Sequence, residues 1–132
     1  MERGYIALIT VLIVMAVVLT TASTVAFLGI GEGQSGFAIF KGEETLALVE
    51  GCAEDAMLKS RVNPAYGEPI GTPVTVTLPE GSCTITVISK TGSGTITWTM
   101  RVTTVSTIYK RTVEIVFNRS STEITLASWK EI

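Results

Sequence analysis

The feature that most limits what this chain can fold into is an uncharged apolar run near its N-terminus. No charged residue lies between Arg3 and Glu32, and the residues from Tyr5 to Ile30 are apolar or small. A helix of about 20 apolar residues spans the hydrocarbon core of a bilayer. The rest of this 132-residue chain is too short to surround a helix that is apolar on every side. The run therefore predicts a transmembrane helix.

Basic residues on the two sides of this run indicate its orientation. Arg3 precedes the run, whereas the first basic residue after it is Lys41, which follows the acidic Glu32. Segments that stay in the cytoplasm carry an excess of lysine and arginine. This favours a cytoplasmic N-terminus and predicts a single-pass protein whose C-terminal domain lies outside the cytoplasmic membrane.

Two cysteines, Cys52 and Cys83, follow the apolar run. An even number of cysteines in an exported segment favours a disulfide, with two buried free thiols as the alternative. A disulfide that closes a loop of about 30 residues stabilises a domain by roughly 3 to 4 kcal/mol in the chain-entropy model. The sequence therefore predicts a Cys52–Cys83 disulfide.

A glycine-rich passage from Gly29 to Gly36 separates the apolar run from a second helical stretch. It contains four glycines in eight residues, and each weakens a helix by about 1 kcal/mol relative to alanine. We therefore expect the helix to bend or melt there. The second stretch extends from Phe37 to Arg61 and ends at Asn63-Pro64, because the residue before a proline avoids the α region.

One face of this second stretch is apolar. Its apolar residues recur at spacings of three and four: Leu46, Val49, Cys52 or Ala53, Ala56 and Met57. Such a stripe needs a partner surface, and a sheet predicted further along the chain needs a cover. We expect the two to pack together, with Cys52 on the helix reaching Cys83 on the second strand.

The C-terminal part of the chain alternates between apolar and polar residues, as antiparallel strands with one solvated face do. The strands are predicted around Val74–Leu78, Cys83–Val87, Ile96–Val102, Val113–Phe117 and Ile124–Leu126. The turns between them are predicted at Pro79–Gly81, Lys90–Gly94 and Asn118–Thr122. The predicted fold class is α+β: a long N-terminal helix, transmembrane and then amphipathic, packed on a C-terminal antiparallel sheet of four to five strands.

The residue types also limit the chemistry of the chain. It has no histidine, so Ser/His/Asp and Cys/His catalytic arrangements and histidine metal sites are excluded. The acidic residues between Glu43 and Asp55 are typical of the solvated side of a helix. No cluster of basic residues indicates nucleic-acid binding. We therefore predict a protein that is not an enzyme and has no metal, no other cofactor and no nucleic-acid partner.

The segment Arg3–Ile9, RGYIALI, resembles the processing site of type IV pilins and type II secretion pseudopilins. In that family a short basic leader ends in glycine, prepilin peptidase cleaves after it, and the new N-terminal residue is methylated. The resemblance implies processing between Gly4 and Tyr5. It also implies a leader, an apolar transmembrane and assembly helix with a glycine-rich end, and an extracytoplasmic helix-plus-sheet pilin domain: 1–4, 5–36 and 37–132.

The fifth position after the implied cleavage departs from the usual family pattern. Major pilins carry a glutamate there, which is thought to pair with the N-terminal amine of a neighbouring subunit. This chain has Ile9, followed by Thr10. A carboxylate inside a membrane is costly unless it is paired. Its absence resembles minor pilins and the tip pseudopilin, and implies a minor or tip subunit.

The resemblance thus implies a structural subunit of a type IV pilus-like filament or secretion pseudopilus. Its partners would be other pilin subunits through their N-terminal helices, prepilin peptidase, and the membrane before assembly. The small residues Ala16, Ala22, Ser23 and Ala26 would permit close approach between helices. The subunit would occupy the cytoplasmic membrane first, and then an extracellular filament or the cell surface.

A second hypothesis is a secreted or membrane-anchored β-rich binding module with an ordinary signal peptide, cleaved near Thr24-Val25-Ala26. Its apolar run is longer than most signal-peptide cores. A third hypothesis, a single-pass membrane enzyme subunit, has no residue to recommend it. The position of cleavage distinguishes the three: after Gly4, near Ala26, or nowhere.

Overall fold

The computed structural model describes residues 2–106, 108–121 and 123–132, with the backbone alone for residues 2 and 3. Its elements in chain order are one helix and five strands: α1 (Glu2–Val62), β1 (Pro73–Leu78), β2 (Gly81–Thr91), β3 (Ile96–Thr104), β4 (Thr112–Arg119) and β5 (Ile124–Glu131). This confirms the predicted α+β class. The chain forms two compact units, one ending at Phe40 and the other comprising Lys41–Ile132.

The helix predicted in two stretches is one continuous element. Every residue of the glycine-rich passage Gly29–Gly36 is helical within α1, so the predicted melting there is wrong. Glycine lowers helix propensity, but unlike proline it keeps its backbone N–H donor. Good helix formers on both sides propagate the helix through such a passage, because adding a residue costs far less than starting a new helix.

The helix ends where the sequence predicts. Asn63 N donates to Lys59 O at 2.8 Å, and the Asn63 side chain accepts a hydrogen bond from Ala65 N at 3.0 Å. Pro64 follows directly and has no N–H to continue the helix. The last turn carries the basic residues Lys59 and Arg61, which are favourable near the negative end of a helix.

The strands form one antiparallel sheet in the order β1-β2-β3-β4-β5. Strands that are neighbours in the chain are neighbours in the sheet, as expected for antiparallel strands joined by short connections. The polar residues of the outer face lie in register, since Thr75, Thr84, Thr103 and Thr112 lie side by side across four strands. The predicted threonine-rich face is therefore present.

All five strands are longer than the predicted ranges, and β2 and β4 extend into predicted turns. β2 continues through Lys90 and Thr91, and β4 continues through Asn118 and Arg119, all of which were predicted in turns. A β-bulge between Val87 and Ser89 shifts the register of β2, which pairs its last residues with β3 instead of releasing them into a turn. Thr122, also assigned to a predicted turn, lies outside the described residues.

The core of the second unit lies between the C-terminal part of α1 and the inner face of the sheet. Its buried side chains come from both layers: Val49, Cys52, Ala53, Ala56, Val76, Cys83, Ile85, Val87, Trp98, Met100, Val102, Val113, Ile115 and Phe117. Leu46 and Met57 pack against this core while partly exposed. The predicted apolar stripe is therefore the helical side of the core.

Candidate functional site

The predicted processing residues lie at the start of α1. Tyr5 is 67% exposed, and no atom lies within 4 Å of the position that a Cβ on Gly4 would occupy. No other described part of the chain therefore covers the Gly4–Tyr5 bond, which lies within the first turns of α1. Met1 of the predicted leader lies outside the described residues, and the side chains of residues 2 and 3 are likewise not described.

Ile9, at the fifth position after the predicted cleavage, and Thr10 directly after it are both uncharged. Ile9 is half-buried, and Thr10 Oγ1 donates to Ala7 O at 2.8 Å. This bond satisfies the Thr10 donor within its own helix. A carboxylate at either position could not be satisfied in this way, because it can only accept hydrogen bonds.

Further hydroxyl groups along the apolar segment are satisfied by the helix itself. Each donates to a backbone carbonyl three or four residues earlier: Thr20, Thr21, Ser23 and Thr24. In lipid, polar groups must find their partners inside the protein. These bonds make the hydroxyl-bearing part of α1 compatible with a bilayer.

The three alanines predicted to permit close helix approach do not share one face. Ala22 and Ala26 lie one above the other, four residues apart, whereas Ala16 precedes Ala22 by six residues and lies about 120° around the helix. The Ala22/Ala26 face continues through glycines at spacings of three and four: Gly29, Gly33 and Gly36. No atom lies within 4 Å of a Cβ built on any of these three glycines.

Among the described residues, α1 is the one helix that is long and apolar enough to cross a membrane. The most apolar stretch of α1 is entirely exposed. These properties of length and composition are compatible with a single N-terminal membrane anchor. A signal sequence has the same properties.

The Cys52–Cys83 disulfide is present, which confirms that prediction and rules out the alternative of two free thiols. Its Cα atoms are 6.3 Å apart, and both residues are fully buried. The bond joins α1 to β2, so it holds the helical layer of the core to the sheet. Because it closes a loop across 31 positions, it restricts the unfolded chain substantially.

A buried lysine that the sequence did not single out holds the connection between α1 and β1. The Lys90 side chain is 11% exposed, and its Nζ lies 2.9 Å from Glu68 Oε1. The same ammonium donates to Pro64 O at 3.1 Å and to Tyr66 O at 3.0 Å. It also lies 4.0 Å from the centre of the Trp98 ring, within the range of a cation–π interaction.

No pattern in the sequence would have revealed this role. Lys90 faces Trp98 across the strands only because the bulge before Ser89 changes the alternation of β2. Without the bulge, the lysine would be assigned to a solvated turn. Its partners come from a loop more than 20 positions away, so local sequence carries no sign of them.

The phenol of Tyr66, in that same connection, is partly buried. Burial raises the pKa of the Tyr66 phenol above its ordinary value of 10.0. The Lys59 ammonium lowers this pKa, and the Asp55 carboxylate raises it. Tyr66 Oη is buried and has no hydrogen-bond partner within the part of the chain that the structure describes.

No group of three or more histidine, cysteine, aspartate or glutamate side chains in the described ranges is placed to hold a metal ion. Three carboxylates on one side of α1 are exposed: Glu43, Glu50 and Glu54. The geometry of the chain therefore provides an apolar helix, a covalently fastened sheet and a charged helix surface.

No protein-family model, no curated protein and no solved structure matches the chain. Its architecture defines its class: one long helix, apolar in its first part, whose second part is fastened by a disulfide to a five-stranded antiparallel sheet.

Proposed function

We propose that the protein is a structural subunit, minor or tip, of a type IV pilus-like filament or secretion pseudopilus. The observation that carries the proposal is the continuity of α1 from Glu2 to Val62. Apart from the half-buried Ile9, the apolar side chains of its first part, up to Ile30, are exposed, and its second part forms one layer of a folded core. The segment Arg3–Ile9 before and within the apolar run adds the resemblance to a pilin processing site.

In this proposal the uncleaved protein is held in the cytoplasmic membrane with its sheet outside. Prepilin peptidase cleaves between Gly4 and Tyr5, and the apolar helix then leaves the lipid to pack against the helices of other subunits. The internally satisfied hydroxyls support both environments, because neither lipid nor a helix bundle would have to supply partners. The Ala22/Ala26 face supports close approach, since small side chains let helix backbones come near each other.

The residues at the start of the helix support a minor or tip position. Ile9 and Thr10 offer no charge to the N-terminal amine of a neighbouring subunit. Minor pilins and the tip pseudopilin share this absence. The Cys52–Cys83 disulfide supports an extracytoplasmic location, because disulfides persist in oxidising compartments.

The test is the intact mass, with N-terminal sequencing, of the protein recovered from its native membrane or surface fraction. We expect a chain that starts at Tyr5 and carries one added methyl group. A start near Phe27 would instead identify a secreted β-rich module released from a signal peptide. An intact Met1 would identify a membrane anchor without pilin processing.

A variant pair sharpens this test. We expect Gly4→Val to accumulate as the uncleaved chain, because the processing site requires glycine before the cut. Gly31→Val is the matched control, since it places the same side chain on the same helix where no atom lies within 4 Å. It should be cleaved normally. Normal cleavage of Gly4→Val would refute the proposal.

A further inference from the structure

The inner face of the sheet is incompletely covered along β5. Leu126 pairs with Phe117 and therefore lies on the inner face, yet Leu126 is 54% exposed whereas Phe117 is fully buried. From α1, Leu58 is 60% exposed beside it. A shallow groove of about 320 Å³ results, lined by Met57, Leu58, Arg61, Ile124 and Leu126.

One end of this groove carries positive charge. Arg61 lines the groove, and Arg119 Nη2 donates to Arg61 O at 3.3 Å. Arg119 Nε is buried without a hydrogen-bond partner among the described residues. Within those residues neither guanidinium belongs to an ion pair. An apolar floor with two guanidinium groups at its edge, neither in an ion pair among the described residues, is suited to an acidic amphipathic partner.

The chain itself carries a surface of that chemistry. Glu43, Glu50 and Glu54 follow one another at spacings of seven and four on the exposed face of α1, which puts them on one side of the helix. None of the three forms an ion pair in the described part of the chain, whereas their neighbours Glu44 and Asp55 are paired with lysines. The small residue Ala47 lies on the same side.

We infer that the groove binds the acidic face of α1 from a second copy of this chain. Glu50 and Glu54 of one copy would face Arg61 and Arg119 of the next, and the helix would cover Leu126. In the proposed filament all copies of α1 run in the same direction, so the contact joins Glu54 of one copy to Arg61 of the next, is heterologous and can repeat along an open assembly.

This inference rests on the proposed function and makes it more specific. A repeating contact between copies requires at least two copies in the filament. It therefore assigns the chain to a minor subunit that has like neighbours, and excludes a solitary tip subunit.

The first test is photo-cross-linking of the full-length chain in its native membrane, with two copies carrying different isotope labels. A photoreactive side chain at Leu126 should form cross-links to α1 of the other copy, within residues 43–58. Ser128 is the matched control, because it lies on the same strand but pairs with Val116 on the outer face. We expect a cross-link yield at Ser128 lower by roughly tenfold or more. Equal yields, or a different protein captured at Leu126, would overturn the inference.

The second test exchanges the charges. Arg61→Glu or Glu54→Arg alone should lower the Leu126 cross-link yield by about tenfold, because each places like charges opposite each other. A mixture of Arg61→Glu copies with Glu54→Arg copies should recover the yield, since opposite charges then meet between copies. Lys110→Glu, at an exposed lysine outside the groove, should change nothing. A mixture no better than either variant alone would refute the pairing.

The same sample separates this inference from the proposed function. Processing after Gly4 without a cross-link at Leu126 would leave the pilin-like function standing and refute the groove contact. A cross-link without processing would support the contact between copies and refute the filament function.

Discussion

The Lys90 ammonium lies 4.0 Å from the centre of the Trp98 ring and hydrogen-bonds to both a carboxylate and two carbonyls of the connection between α1 and β1. One side chain on the sheet therefore fixes the loop that follows the helix. The Trp98 ring in turn stacks on Phe117, with ring centres 5.8 Å apart. The loop is thus attached to the centre of the core and not to its edge.

Replacing this lysine tests how strongly it holds the loop. We expect Lys90→Met to lower the free energy of unfolding by about 2 to 4 kcal/mol, because it removes charge-assisted hydrogen bonds and a cation–π contact. Hydrogen exchange should become faster in residues 63–72 than elsewhere. Lys130→Met, at an exposed lysine of β5, is the control. Unchanged exchange in 63–72 would show that Lys90 does not hold the loop.

The disulfide should be a large contributor to the stability of the second unit. We expect the double variant Cys52→Ala, Cys83→Ala to lose roughly 3 to 4 kcal/mol of unfolding free energy, since the unfolded chain regains the entropy of the open loop. Urea unfolding of the full chain in detergent, followed by tryptophan fluorescence, measures this. Trp98 and Trp129 both lie in this unit, so the signal reports on it alone. Equal stabilities would contradict the prediction.

A glycine in the connecting loop is required for steric reasons. Gly67 has φ of +70°, and a Cβ there would lie 2.3 Å from Val87 Cγ2. We expect Gly67→Ala to lower the unfolding free energy by about 2 to 4 kcal/mol, through backbone strain and overpacking together. Gly71 has φ of +87° with no atom within 4 Å, so Gly71→Ala isolates the backbone cost of about 1 kcal/mol. Equal losses would exclude the contact with Val87.

The raised pKa of Tyr66 predicts a loss of stability in alkali. Above pH 10 the unfolded chain releases the Tyr66 proton while the folded chain retains it, so the folded state binds more protons. The unfolding free energy must then fall as the pH rises. We expect Tyr66→Phe to reduce this fall in unfolding free energy. Tyr109→Phe is the control, because it removes a phenol at another position. A steeper decline in Tyr66→Phe than in the parent chain would contradict the assignment.

The main elements of the fold could be predicted because their signals are local. The absence of charge between Arg3 and Glu32, the apolar spacing in α1 and the alternation in the strands each depend on near neighbours in sequence. The disulfide followed from two cysteines and an export context. The processing site at Gly4 and Tyr5, the assembly role of the helix and the partners remain predictions, because they concern events between molecules.

Local sequence signals failed where the surrounding structure overrode the conformational preference of a residue. The glycines between Gly29 and Gly36 predicted a helix that bends or melts, and the helix does not melt there because it propagates from both sides. Lys90 was assigned to a turn, but the bulge in β2 places it inside. The exposure of Leu126 could not be predicted either. The alternation in β5 shows which residues share a face of the sheet, but whether α1 covers that face depends on where the helix lies.

By itself, the sequence of this protein determined a membrane-compatible apolar helix, an amphipathic continuation, the alternating strands and the pairing of its two cysteines. Each follows from periodicity or composition, which act over a few residues. The tertiary structure alone decided the strand order, the inward position of Lys90 and the open groove beside Leu126. These features depend on contacts between segments that are far apart in the sequence. Such contacts are set by how the helix and the sheet pack together in their shared core.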